Sequence, residues 1–405
     1  MKHYTSVVAA YLCATLGLSG CAATSTTAEL TPAQRIAQNA IIVDGHIDVP
    51  YRVNKQWVDV TQATADGDFD YPRAVQGGLN APFMSIYVPA SLDNSKASIQ
   101  LANTLIDTVE AIVARAPDKF AIATTVADVR KQFSQGLISL PLGMENGSPI
   151  QGDLANLQHF YNRGIRYITL AHSQSNHISD SSYDIRKRWQ GLSPFGKTVI
   201  NEMNNLGMLI DISHVSDQAF YQVIELSRAP VIASHSSIRL FTPGWERNMD
   251  QEMLKALGAN GGVIMINFGS GFVSPQARQW WDNLVALRKQ WAIEFGKTSP
   301  ETLALEAQYR QNNPYPFADL ETVLDHIDLV KNTIGTQHIG IGSDFDGVGN
   351  TLPTKLKDVS TYPNLVQGLL DRGYTETEIT GILGLNLLRV WKEVEQLATP
   401  VTANN

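Results

Sequence analysis

Met208-Leu209-Ile210-Asp211-Ile212-Ser213-His214 and Val231-Ile232-Ala233-Ser234-His235 decide the fold, together with what lies between them. Each is a short apolar run that stops at Ser-His. Between them, residues 217–226 carry apolar side chains at helical spacing. Strand, helix, strand over so short a span places two strands side by side and parallel, because a parallel pair needs a crossover of this length. Two successive strands of one sheet then end in histidine.

The same alternation extends outward in both directions. Further strand candidates lie at 41–44, 83–88, 138–144 and 167–171 before this unit, and at 262–268 and 339–342 after it. Helical patterns at 98–114, 194–206 and 319–334 separate several of them. Eight strands in β/α alternation predict a (β/α)8 TIM barrel rather than an open sheet. Two segments exceed a minimal barrel. Residues 275–316, with Trp280, Trp281 and Trp291, predict extra helices inserted between strands seven and eight, either a structural cap or a part of the substrate enclosure or of a dimer contact. Residues 51–79, rich in Asp and Gly, predict an irregular excursion after strand one.

In such a barrel the chemistry stands at the C-terminal ends of the strands. Six of the eight predicted strands end in His or a carboxylate: Asp44-Gly45-His46-Ile47-Asp48, Met144-Glu145-Asn146-Gly147, His172, His214, His235, and Ser343-Asp344-Phe345-Asp346. The chain has nine histidines, and four of them fall at strand ends. His46 and Asp48 share one face of an extended segment, and imidazole nitrogen with carboxylate oxygen suits Zn²⁺. Alone, His-x-Asp is weak and reads as surface hydrogen bonding; its place at a strand end raises it. Glu145 alone reads as a loop ion-pair partner, but in a two-metal site a carboxylate can bridge, one oxygen to each ion. His214 and His235, on neighbouring staves, can hold a second metal together, whereas either alone reads as a core histidine. His159 and His326 fall in helical patterns and His338 at the start of strand eight, all structural positions; His177, in the loop after strand four, is a weaker candidate for substrate contact.

The chain of 405 residues is 43% apolar and 17% charged, an ordinary globular composition, and its formal net charge of −8 with no Lys/Arg run excludes a general nucleic-acid binder. Lys2, a short apolar or small stretch over 6–17, and Leu18-Ser19-Gly20-Cys21 have the form of a secretory signal whose last residues resemble a bacterial lipobox. That resemblance implies a lipoprotein signal peptide over 1–20, lipidation of Cys21, and a location in the bacterial cell envelope, held to a membrane by the lipid alone. Residues 21–34 then form the lipidated Cys and a small, polar tether, 35–398 the catalytic barrel and 399–405 a tail. Cys13 and Cys21 are the only cysteines, so the processed chain has no disulfide to stabilise it.

Five segments resemble the membrane (renal) dipeptidase family: Val43-Asp44-Gly45-His46-Ile47-Asp48, Thr169-Leu170-Ala171-His172, Leu209-Ile210-Asp211-Ile212-Ser213-His214-Val215-Ser216, Ser234-His235-Ser236-Ser237 and Gly340-Ile341-Gly342-Ser343-Asp344-Phe345-Asp346-Gly347. Residues 191–203 and Asn386-Leu387-Leu388-Arg389-Val390 add to it, so the resemblance runs from about 35 to 397. It implies an amidohydrolase-like barrel with two Zn²⁺ per chain: His46 and Asp48 on one, His214 and His235 on the other, Glu145 between them. It implies that His172 contacts substrate and polarises the scissile carbonyl, that Asp344 handles the proton at the substrate, and that an Arg before Asn, here Arg247, binds the substrate carboxylate. The implied substrates are dipeptides, including those with a C-terminal D-residue, cleaved by a hydroxide shared between the ions, and the implied assembly is a homodimer. The stretch from His235 to Arg247 is one residue longer than the family pattern, so Arg239 stays open as the alternative clamp. Two other readings compete. A related barrel hydrolase acting on another amide or an ester often bridges its metals with a modified Lys, and no Lys stands at a strand end here. A lipid-anchored peptide-binding protein would have no need of so many strand-end His and carboxylates.

Overall fold

In a computed structural model, residues 1–3 and 29–399 are described. Residues 4–20 of the expected signal segment, and Cys21, therefore lie outside the described residues. Helix Pro32–Asn39 starts within the expected tether, with Thr31 and Gln34 forming a reciprocal cap on it.

Eight parallel strands close into a barrel. They are β1 (Ile42–Ile47), β2 (Leu79–Tyr87), β3 (Leu142–Glu145), β4 (Ile165–Thr169), β5 (Leu209–Asp211), β6 (Ile232–Ser236), β7 (Val263–Ile266) and β8 (Ile339–Ile341). Each pairs with its sequence neighbours, and β8 returns to β1 through Asp44 opposite Ile341. The barrel is the one the alternation predicts. One strand differs: 138–144 is two strands. Ile138–Leu140 leaves the barrel to pair with Phe120–Ile122, and Leu142–Glu145 enters it. Pro141 separates them, since it has no N–H for a ladder; its carbonyl accepts from the Met84 N–H at 2.8 Å.

Strand alternation sorts the side chains into layers. Val43, Phe83, Tyr167, Leu209, Ile232, Val263 and Met265 form one buried cluster with Leu387, Leu388, Trp391 and Val394 of the C-terminal helix Asn386–Leu397. That helix closes the barrel at the end where the strands begin, with Trp391 5.3 Å from Phe83. Two residues further along the strands, the inward positions turn polar, at Glu145, Thr169, Asp211 and Ser234. The change from apolar to polar marks the floor of the site.

Both departures from a minimal barrel have defined structure. Between β7 and β8 stand the short helix Ser270–Val273 and two long ones, Pro275–Phe295 and Pro300–Asn312, each started by a Ser side-chain cap. The excursion after β1 holds helices Val49–Lys55 and Tyr71–Gly77. It is tied to the β8 exit by Arg52 Nε to Asp346 Oδ2, 2.9 Å, and by the Asp68 N–H to Asp346 Oδ1, 2.7 Å. Among the described residues, no helix is long and apolar enough to cross a membrane.

Candidate active site

Strand ends bring seven of the predicted residues around one point. Glu145, the last residue of β3, lies at its centre. Its Oε2 is 3.5 Å from His46 Nε2. Its Oε1 is 3.4 Å from His172 Nε2, 3.2 Å from His214 Nε2 and 3.4 Å from His235 Nε2. Asp48 Oδ2 stands 3.4 Å from His46 Nε2. The two carboxylate oxygens thus face different partners. Distance alone does not separate His172 from His214 and His235, but exposure does: the His172 side chain is 19% exposed, against 5% and 1% for the others.

Local backbone turns these side chains inward. His214 and Asp344 both have left-handed φ, +69° and +63°, which non-glycine residues adopt at a cost met by surrounding contacts. Gly347 keeps space open beside them: a Cβ there would lie 2.2 Å from both Asp344 Oδ1 and Asp48 Oδ2. Gly143 leaves room for the Tyr167 ring, whose hydroxyl meets His46 Nδ1 at 2.9 Å and donates to the Gly45 carbonyl at 3.1 Å.

The donor set fits metal ions. With the Tyr167 proton given to Gly45, its oxygen accepts the His46 Nδ1–H and Nε2 faces the cluster; against its burial, Tyr167, Glu145 and Asp48 hold this imidazole well above its ordinary value, so a metal at Nε2 takes the place of a proton. That nitrogen is buried and has no hydrogen-bond partner, and neither has Asp48 Oδ1, a costly arrangement without a cation. His214 Nε2 and His235 Nε2 are 2.8 Å apart. Burial holds both imidazoles well below their ordinary value, and so neutral as ligands must be. The imidazole-to-carboxylate distances of 3.2 to 3.5 Å match the roughly 3.4 Å between neighbouring ligands of a tetrahedral ion with bonds of about 2.1 Å, and the 2.8 Å between the two Nε2 atoms is shorter than that spacing.

Asp344 is the remaining carboxylate. Its Oδ2 accepts from Asn267 Nδ2 at 2.7 Å. Burial, with Asp48 and Glu145 alongside, pushes its carboxyl up to about 8 against the pull of His46. Asp48, Glu145, His172, His214, His235 and Asp344 line the floor of a cavity of about 690 Å³, walled by Tyr51 and Tyr87 on the β1–β2 side and by Trp245, Phe272, Trp281 and Tyr315 on the side of the inserted helices.

The two arginine candidates separate on geometry. Arg239 is committed elsewhere: its Nη1 and Nη2 grip the Asp217 carboxylate at 2.8 and 2.5 Å, and its Nε donates to the Asn248 carbonyl. Arg247 is 3% exposed, its guanidinium 5.3 Å over the Phe272 ring of the cavity wall, with Nη1 on Ser236 Oγ and Nη2 on the His235 carbonyl, both 2.7 Å. Its Nε is buried without a partner, and its charge bears on His172 and His214. Of the other histidines, none joins the cluster. His326 bridges the Ile238 N–H and the Val273 carbonyl, His338 bonds the Gly262 carbonyl, His159 meets Asn103 on the surface, and His177 packs against Phe195.

Sequence reasoning assigned no role to Tyr167, Asn267, Asp44 or Asp211. The last two share a pattern. Asp44 Oδ1 accepts from the His46 and Ser343 N–H groups, and Asp211 Oδ1 from the Ser213 and Ser234 N–H groups. Each carboxylate fixes its own strand exit and that of its neighbour. The signal available was an Asp after an apolar run, two residues before His46 in one strand and three before His214 in the other.

A closed (β/α)8 barrel that gathers four histidines and three carboxylates at the C-terminal ends of its strands defines a metal-dependent hydrolase. Residues 30–405 match the family model described as Membrane dipeptidase (Peptidase family M19), and the chain belongs to that family of metallopeptidases. It is 33% identical over 386 residues to a dipeptidase of Aspergillus oryzae, covering 91% of this chain and 81% of the relative. It is 31% identical to an uncharacterized dipeptidase of Schizosaccharomyces pombe, covering 88% of this chain and 81% of that one. The crystal structure of the probable dipeptidase PvdM from Pseudomonas aeruginosa superposes with a TM-score of 0.79 at 26% identity, over 90% of this chain and 98% of that one.

Proposed function

We propose that this enzyme is a dizinc dipeptidase, with His46 and Asp48 on one ion, His214 and His235 on the other, and Glu145 bridging. The observation that carries the reading is the division of the Glu145 carboxylate, Oε2 toward His46 and Oε1 toward His214 and His235. Bound zinc would supply Lewis acidity and an activated water at neutral pH. The remaining steps fall to side chains. Asp344 takes the proton of the attacking water and passes it to the leaving amine; burial beside Asp48 and Glu145 favours the protonated form it adopts in between. His172 faces the cavity and hydrogen-bonds the scissile carbonyl oxygen as charge develops there, an interaction worth roughly 3–4 kcal/mol in comparable sites.

Arg247 binds the substrate's terminal carboxylate. A guanidinium has five N–H donors, and Ser236 and the His235 carbonyl take two of them. A carboxylate held at a fixed distance from the scissile bond makes the site a ruler for dipeptides. The family resemblance extends the substrates to those with a C-terminal D-residue. The lipobox-like Leu18-Ser19-Gly20-Cys21 supports a lipid anchor at Cys21 and a place in the bacterial cell envelope; Cys21→Ser should move the protein from the membrane to the soluble fraction, and retention on the membrane would remove the anchor.

The test combines metal content with a substrate panel. The purified chain should hold two zinc ions. It should cleave L-Xaa-L-Xaa and L-Xaa-D-Xaa dipeptides and lose kcat/KM strongly when the C-terminus is amidated or extended to a tripeptide. A zinc-loaded chain that hydrolyses esters but no dipeptide, or binds dipeptides without cleaving them, overturns the proposal.

A further inference from the structure

Asp211 makes no contact with the cavity, yet it is the most heavily hydrogen-bonded carboxylate near the metal cluster. It is fully buried. Its Oδ1 accepts the Ser213 N–H at 3.0 Å and the Ser234 N–H at 2.8 Å. Its Oδ2 accepts the Thr169 hydroxyl at 2.5 Å and the Ser234 hydroxyl at 2.6 Å. The donors come from β4, β6 and the β5 exit, and the register of Thr169 opposite Asp211 opposite Ile232 brings them together.

Ser234 Oγ has a second contact, His235 Nδ1 at 2.8 Å. A hydroxyl carries one proton, and a carboxylate only accepts. The Ser234 proton therefore points to Asp211, and Ser234 Oγ can only accept from His235. That requires the proton of a neutral His235 to sit on Nδ1 and leaves Nε2 as a bare lone pair facing Glu145 and His214. His214 gives the internal contrast, because its Nδ1 is buried with no partner.

We propose that Asp211, acting through the Ser234 hydroxyl, is a positioning residue that sets the tautomer of His235 and so makes its Nε2 a metal ligand. The inference rests on the reading of His235 as a ligand, and the relay itself can be tested without metal. Asn at 211 reverses it. The Asn Oδ1 can keep both backbone N–H bonds, but its Nδ2 donates where Oδ2 accepted. Ser234 Oγ then accepts from residue 211, turns its proton to His235 Nδ1 and drives the imidazole proton to Nε2, where it blocks coordination. Asp211→Asn is thus near-isosteric and inverts a proton's position rather than removing a contact.

Long-range ¹H–¹⁵N correlation spectra of histidine-labelled, metal-free protein read the tautomer directly. His235 should be Nδ1–H in the wild type and Nε2–H in Asp211→Asn. Zinc affinity, measured by competition with a chromophoric chelator, should fall about 10- to 100-fold in Asp211→Asn and in Ser234→Ala. In the Ser234→Ala background, adding Asp211→Asn should cost nothing further, because the relay is already cut. Ser234→Ala leaves Asp211 with three of its four donors and serves as the folded reference should Asp211→Asn be unstable. A His235 that stays Nδ1–H in Asp211→Asn overturns the proposal, and so does an Asp211→Asn penalty equal with and without Ser234. A tautomer switch with unchanged zinc affinity upholds the relay and removes His235 from the ligand set.

Discussion

Asp344 is held in a left-handed turn among other carboxylates, with Asn267 on one of its oxygens. Its surroundings are those of a group that exchanges a proton, and Glu145, drawn well below the carboxylate range by His172 and His46 despite its burial, is its opposite. Two carboxyls with divergent acidity in one site divide the roles of proton carrier and permanent anion. Asp344→Asn preserves shape and can still accept from Asn267. It should retain zinc and lower kcat on the order of 10²- to 10⁴-fold. Activity within roughly tenfold of wild type, at equal zinc content, would exclude Asp344 from proton transfer.

At the scale of elements, what the sequence reveals follows from how each element is specified. The barrel strands are apolar runs between helices of regular period, and both leave strong patterns; the His and acidic residues at their ends stand out against an apolar background. Phe120–Ile122 is too short to show a period, and the break at Pro141 is visible only to a reader who expects every strand residue to donate. The preference proposed for Arg247 over Arg239 rests on Asp217, whose capture of Arg239 is a tertiary fact with no local signature. Asp211 stands within a motif, but three of its four donors come from the neighbouring strands, one from Thr169 and two from Ser234. The C-terminal helix makes an element-scale prediction. Trp391 is fully buried against Phe83 beneath the barrel, one apolar layer from the site floor. Trp391→Ala should cost about 3–5 kcal/mol of stability and lower Tm by several degrees, with KM and zinc content unchanged. A raised KM without a loss of Tm would place that helix in the site rather than under it.

The whole molecule has an acid limit built in. His326 sits between the Ile238 N–H and the Val273 carbonyl, and burial lowers it to about 4 from an ordinary 6.5, against the pull of that carbonyl. Above pH 6.5 the ring is neutral both folded and unfolded. Between 6.5 and 4 the unfolded chain takes up a proton that the folded one refuses, so stability falls with pH at about 1.4 kcal/mol per unit and by about 3 kcal/mol in all. His326→Gln can keep both bonds without the charge. Urea unfolding between pH 7 and 4 should show a shallower loss in the variant, and parallel curves would rule the histidine out. The closure of the barrel has another consequence. Asp44, in the first strand, accepts the Ser343 N–H at the exit of the last, 299 residues away along the chain, and the Asp344 N–H bonds the His46 carbonyl beside it. A polypeptide emerging from the ribosome cannot join these ends until almost all of it has been made. Hydrolytic competence therefore arrives as a terminal event of assembly, and the growing chain has no assembled centre with which to attack peptides around it.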